Sequence, residues 1–183
     1  MVKKCSHIIF TIAIFTCLIF TPGIKAEEIS SIEYKVKAAF LYNFAKFTKW
    51  PDDVYSNSKS PFIICIIGQT PLKDSVNIIE KKKIGKRKVL IHFVNDISSV
   101  KKCHMLYVAK SKKKKLESII LPAMENKPVL TVSDIDGFVN SGGIIELVRK
   151  GENIQFAINL YVAKASGIVI SSQILKLALN VIK

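Results

Sequence analysis

Four apolar runs, at residues 62–67, 88–94, 103–109 and 128–132, alternate with segments of helical composition, and that rhythm leaves the chain few folds to adopt. Each run is short and continuous, which fits strands buried on both faces. The first intervening segment, 72–82, sets Val76 and Ile79 opposite a lysine run, as an amphipathic helix does. Strand, crossover helix and strand make a βαβ unit, which is normally right-handed. Residues 113–125 repeat the theme as a helix broken or kinked at Pro122. The alternation predicts a single α/β domain with a mostly parallel central sheet and helices on both faces.

The rhythm changes at Gly143. GIIELVRK, a Gly151-Glu152-Asn153 turn and IQFAI read as a β-hairpin, which makes one edge of the sheet antiparallel. Two helices, 160–166 and 171–182, close the chain, with Gly167 between them and Ser171 or Ser172 as a cap. Near the other end, 34–51 reads as a helix with Ser30 or Ser31 as its N-cap and Pro51 as its stop. Ile32, Val36, Phe40, Phe44 and Phe47 recur at spacings of four and three, which stacks them on one face as core residues. Tyr42 and Trp50 extend the aromatics beyond that stripe. Phe40, Tyr42, Phe44, Phe47 and Trp50 are therefore a candidate docking surface for a partner protein.

Residues 1–26 have the layout of a secretory signal: Lys3 and Lys4, an apolar run from Ile8 to Phe20, then Pro22, Gly23 and Ala26 before two glutamates. The run is shorter than the roughly 20 residues of a comfortable membrane span. Cleavage after Ala26 would leave one exported domain over 27–183. The whole sequence carries 28 Lys and Arg against 14 Asp and Glu. Loss of Lys3, Lys4 and Lys25 with the leader leaves a net charge of about +11, which favours anionic surfaces. The lysines concentrate at 81–83, 86–88 and 112–115 without interleaved aromatics, so solvated surface, lipid headgroups or an acidic partner explain them better than nucleic acid does.

Catalytic constellations are poor. Past the leader the histidines are His92, within a strand run, and His104, beside Cys103. Adjacent strand residues point to opposite faces, so His104 does not readily serve its neighbour's thiol. No spacing suits zinc, and no cofactor is expected. Asp134 and Asp136 follow LTVS and read as caps of a short helix. Ser141-Gly142-Gly143 precedes a strand, whereas a phosphate-cradling loop follows one, so it reads as a tight turn. Cys65 and Cys103 lie in apolar runs, and either a bridge or two isolated buried thiols would fit. Of the 28 basic residues only Arg87 and Arg149 are arginine, the better bidentate anion binder. Each suits a structural ion pair. The alternative at Arg149 is an anion or small-ligand pocket formed with Glu146, Asn159, Ser171, Ser172 and Gln173.

The string YKVKAAFLYNFAKFTKWP, followed by FIICIIG, CHMLYV and the blocks LTVSD, GGIIELV, IQFAINL and ISSQILKLAL, resembles the YfiR-like family of small periplasmic proteins. The resemblance spans nearly all of the chain beyond the leader. It implies a dimeric, non-enzymatic α/β regulator that binds the periplasmic part of an inner-membrane diguanylate cyclase and holds it inactive, so acting on cyclic di-GMP signalling. It also implies an outer-membrane lipoprotein that sequesters the repressor. The resemblance favours a Cys65–Cys103 bridge, since the family's type member pairs cysteines at these places. That member's second pair, around the double glycine, has no counterpart in FVNSGGIIELV. The other function considered is a periplasmic small-ligand sensor presented to a histidine kinase or transporter.

Overall fold

Phe62, Ile64 and Ile66 point to one side of the strand they share, Cys65 and Ile67 to the other, and both sides are buried. That strand, β2 (Phe62–Ile67), sits inside an eight-stranded sheet in the computed structural model, which describes residues 23–126 and 128–183. The leader expected over 1–26 lies largely outside the described residues. Parallel neighbours flank β2: β4 (Arg87–Val94) and β5 (Met105–Val108). The parallel set continues through β6 (Leu130–Ser133) to β7 (Ile145–Lys150). β8 (Asn153–Asn159) turns back antiparallel to β7, the predicted hairpin. β3 (Lys83–Ile84) and β10 (Asn180–Ile182) are the edge strands. The mixed, mostly parallel sheet expected from the sequence is the one observed. A separate two-stranded sheet pairs β1 (Thr48–Lys49) with β9 (Val169–Ile170).

Helices cover both faces. One side carries α1 (Gly23–Lys46), α2 (Leu72–Ser75), α3 (Asn77–Glu80), α5 (Leu160–Ala165) and α6 (Ser172–Leu177), which contribute Leu41, Leu72, Ile79, Val162 and Ile174 to the larger core. The other side carries α4 (Leu116–Asn126), through Leu116, Ile119, Ile120 and Ala123. Two cores on opposite faces explain why the central strands are apolar throughout. Residues Glu33–Lys183 form one compact unit.

Four local expectations change. α1 begins at Gly23 and runs through the Ser30-Ser31 pair, because nothing between residues 24 and 46 breaks a helix. Its buried stripe is Lys37, Ala38, Leu41, Phe44, Ala45, with Thr48 just beyond, while Ile32 and Val36 are exposed. The stripe is rotated by one position because Lys37 is drawn inward by an acid, and because Ala38 and Ala45 let the helix approach the sheet closely. The amphipathic helix expected over 72–82 is two separate turns, consistent with the weak helix formers Ser75 and Asn77 in its middle. The terminal helix stops at Leu177. Ala178 is extended, the Leu179 N–H donates to the Phe156 carbonyl at 2.7 Å, and the chain ends as β10, parallel to β8. The open ladder edge of β8 outcompetes further helix there.

Candidate functional site

The carboxyl ends of β5 and β6 face the start of the buried part of α1, and the polar groups there form an ionic cluster. The Lys37 ammonium lies 2.6 Å from Asp134 Oδ2 and 2.6 Å from Glu33 Oε1, one helical turn back. Glu33 Oε2 accepts from the Arg149 guanidinium at 2.9 Å. Lys37 and Asp134 are both buried, so their charges are far from water's screening. Burial alone would pull the Lys37 pKa down, but hydrogen bonds to Asp134 and Glu33 more than reverse this and leave it raised. The Tyr107 hydroxyl sits in the same buried cluster. Burial first, and the Asp134 charge second, push its pKa up. Asp134 and Thr70 stand near the Tyr107 hydroxyl, but neither that hydroxyl nor Asp134 Oδ1 makes a hydrogen bond of good geometry. Asp134 is thus the counter-ion of a buried lysine, not the helix cap expected, while Asp136 is exposed.

Cys65 and Cys103 form a disulfide, with 5.8 Å between their Cα atoms. Cys103 lies just before β5, at the end of a 3-10 turn (Ile97–Lys102), not inside the strand as expected. The pairing of β5 beside β2 brings the two sulfurs together within the smaller core. This consumes the thiol that a nucleophilic role would need. His104 is also committed: its Nδ1 accepts from the Ile63 N–H at 3.0 Å and its ring stacks on Tyr55 and Phe62.

The set expected to form an anion pocket around Arg149 is dispersed. Arg149 pairs with Ile154 on β8, whereas Asn159 ends that strand, about 15 Å further along. Asn159 caps α5, its Oδ1 accepting from the Val162 N–H at 3.0 Å while its Nδ2 donates to the Val139 carbonyl at 2.9 Å. Glu146 accepts from the Gly137 and Val139 N–H groups at 3.1 and 3.2 Å. Both residues therefore pin the loop before β7. Gly143 belongs to that loop for a steric reason, since a Cβ there would meet the Phe138 ring at 2.1 Å. Ser171 is the extended residue just before α6, its buried hydroxyl making no capping bond, and Ser172 and Gln173 are exposed. Arg87 donates to the Asn57 and Ser60 carbonyls, each at 2.8 Å, and stacks on Tyr55.

The aromatic docking set is largely spent on packing. Phe44 is fully buried against Phe40 and Phe156, so it cannot touch a partner. Phe40 and Phe47 are half-buried on the larger core. The Trp50 indole N–H donates to the His104 carbonyl at 3.1 Å, and its ring meets Phe62 edge-on. Tyr42 is half-buried and donates to the Lys83 carbonyl at 3.1 Å. More exposed apolar side chains are Ile32 earlier on α1, Leu121 on α4, and, towards the end of the chain, Tyr161 on α5, Val169 on β9, Leu177 on α6 and Leu179 before β10. Among the described residues, no helix is long and apolar enough to cross a membrane, and no three His, Cys, Asp or Glu residues converge as metal ligands would.

These features define a disulfide-bridged α/β domain whose distinctive polar residues hold the fold together. The chain belongs to the YfiR/HmsC-like family, whose profile matches residues 34–179. Among solved structures it is similar to a conserved domain protein from Vibrio cholerae O1 biovar El Tor, at 14% identity and a TM-score of 0.51 over 81% of this chain and 60% of that one. It is also similar to the ABC domain from Streptococcus pneumonia, solved in complex with L-Trp, at 14% identity and a TM-score of 0.50 over 66% of this chain and 55% of that one. In both cases the match spans less than two thirds of the other protein, and at this identity the likeness is one of fold. A search of curated proteins gave no significant match.

Proposed function

We propose that this protein is a periplasmic regulator that works by binding, holding the periplasmic sensor part of an inner-membrane diguanylate cyclase in its inactive state. The observation that carries this reading is the family match over residues 34–179. The mechanism is a linked equilibrium. A regulator that binds the inactive cyclase about 100-fold more tightly than the active one shifts the balance by up to that factor, and no catalytic step is needed. An outer-membrane lipoprotein competing for the same protein would reverse the shift, and the regulator works as a homodimer.

The docking surface is best sought at the C-terminal end of the chain. Tyr161, Leu177 and Leu179 are exposed there, and among the described residues β10 is an edge strand with one unpaired side. An open edge beside apolar side chains suits strand addition by a partner. Deleting the gene should raise cellular cyclic di-GMP, and the wild-type gene should restore it. A Leu177→Glu variant, charged at an exposed position, should be exported and folded yet fail to restore it. Unchanged cyclic di-GMP on deletion would count against the cyclase reading.

A further inference from the structure

The parallel strands share one carboxyl edge, and the chain leaves β2 and β5 in opposite directions along it, β2 toward β4 and β5 toward β6. Where neighbouring strands diverge in this way, the loops part and leave a crevice, the usual ligand position in open α/β sheets. A crevice of about 730 Å³ opens at this edge. That size suits a small organic molecule.

Its lining combines two chemistries. Lys73, Lys112, Lys114 and Lys115 border it, no carboxylate does, and none of the four lysines is in an ion pair among the described residues. Phe93, 48% exposed, supplies an apolar wall with Ile66 and Val94. The Lys73 ammonium stands 5.4 Å from the Phe93 ring centroid, which places a cation beside that wall. The floor is stiff: Ser111 Oγ accepts from the Gln69 N–H at 2.8 Å and donates to the Gln69 carbonyl at 3.1 Å, tying the loop after β2 to the loop after β5. Gly68, at φ +98°, lets those loops touch, since a Cβ there would lie 2.7 Å from Ser111 Oγ. Ammonium groups without guanidinium partners suit compact, multiply charged anions more than planar carboxylates.

We infer that this crevice binds an organic phosphate, its phosphoryl groups among Lys73, Lys112 and Lys115 and its apolar part against Phe93. The same chemistry could come from a soluble metabolite or from a phospholipid headgroup. The test uses the purified protein with inorganic pyrophosphate and 1-naphthyl phosphate by titration calorimetry, and phosphatidylglycerol vesicles by co-sedimentation. Two variants of equal charge change are compared, Lys112→Glu with Lys115→Glu, and Lys81→Glu with Lys86→Glu outside the crevice. Lys81, Lys86 and Lys115 are exposed and Lys112 is half-buried, so circular dichroism and thermal melting verify the fold of both variants. The expected result is a loss of about tenfold or more for the crevice variant and less than about twofold for the control. Loss with the soluble phosphates assigns a metabolite, and loss with the vesicles alone assigns a headgroup. Absence of binding to all three probes, or equal loss in both variants, overturns the inference. Neither outcome bears on cyclase binding, which is read separately from cyclic di-GMP levels.

Discussion

The Lys37 ammonium and Asp134 Oδ2 lie 2.6 Å apart with side chains only 3% and 4% exposed, joining the first helix to the carboxyl end of β6 across 97 residues of chain. A buried pair of this kind resists loss of one partner, because the survivor keeps its charge in a place where water cannot reach it. Lys37→Met, which strands the buried Asp134 charge, should therefore cost about 3–5 kcal/mol of stability, and Asp134→Leu less, because Glu33 still pairs with Lys37. The double variant should recover most of that loss, since two apolar side chains replace two desolvated charges. Denaturant unfolding of the three variants checks the cycle.

The same cluster sets an alkaline limit. Lys37 holds its proton in the fold to a higher pH than the ordinary 10.5, and Tyr107 to a higher pH than the ordinary 10.0. Above pH 10 the unfolded chain thus binds fewer protons than the folded one, and stability falls as pH rises. Below those values both contributions are fully present. Melting temperature should stay level from neutral pH to about 9.5 and drop beyond it. Tyr107→Phe removes a buried hydroxyl that makes no hydrogen bond of good geometry, so it should change stability at pH 7 little and make the alkaline drop shallower.

How much of this was legible in sequence depends on which force decided each element. The limits of β2 are those the sequence predicts, because six consecutive apolar residues admit little else, and the β7–β8 hairpin follows from its Gly151 turn. The observed stripe on α1 differs from the periodic one by one position, since periodicity assigns Val36 inward and cannot see that Asp134 recruits Lys37. The last strand lies in LKLALNVI, whose composition is helical, and only the open edge of β8 makes it extended. Arg149 and Asn159 read as parts of one anion pocket, yet Arg149 lies near the turn of the hairpin and Asn159 at its open end. The carboxyl-edge crevice draws on three separate segments, 66–73, 93–95 and 111–115, and no local pattern announces it.

The Cys65–Cys103 bridge closes a loop of sequence separation 38. Cys65→Ser should lower stability by about 2–4 kcal/mol under oxidising conditions. In excess dithiothreitol the wild type should fall to nearly the same level, while the variant should hardly respond. Thermal melts with and without reductant make the comparison.

Gly143 packs against the Phe138 ring where no Cβ fits. Gly143→Ala should cost about 1–3 kcal/mol through overpacking, and Gly143→Ala with Phe138→Leu should regain part of it. Chemical denaturation of the single and double variants reads the difference.

The most direct test of the regulatory reading is crosslinked co-purification of the protein from its native envelope, followed by mass spectrometry of what is bound. A membrane diguanylate cyclase with a periplasmic sensor segment, captured by the wild type and lost in Leu177→Glu, is the predicted result. Capture of a histidine kinase or a transporter in its place, with no cyclase, would contradict it.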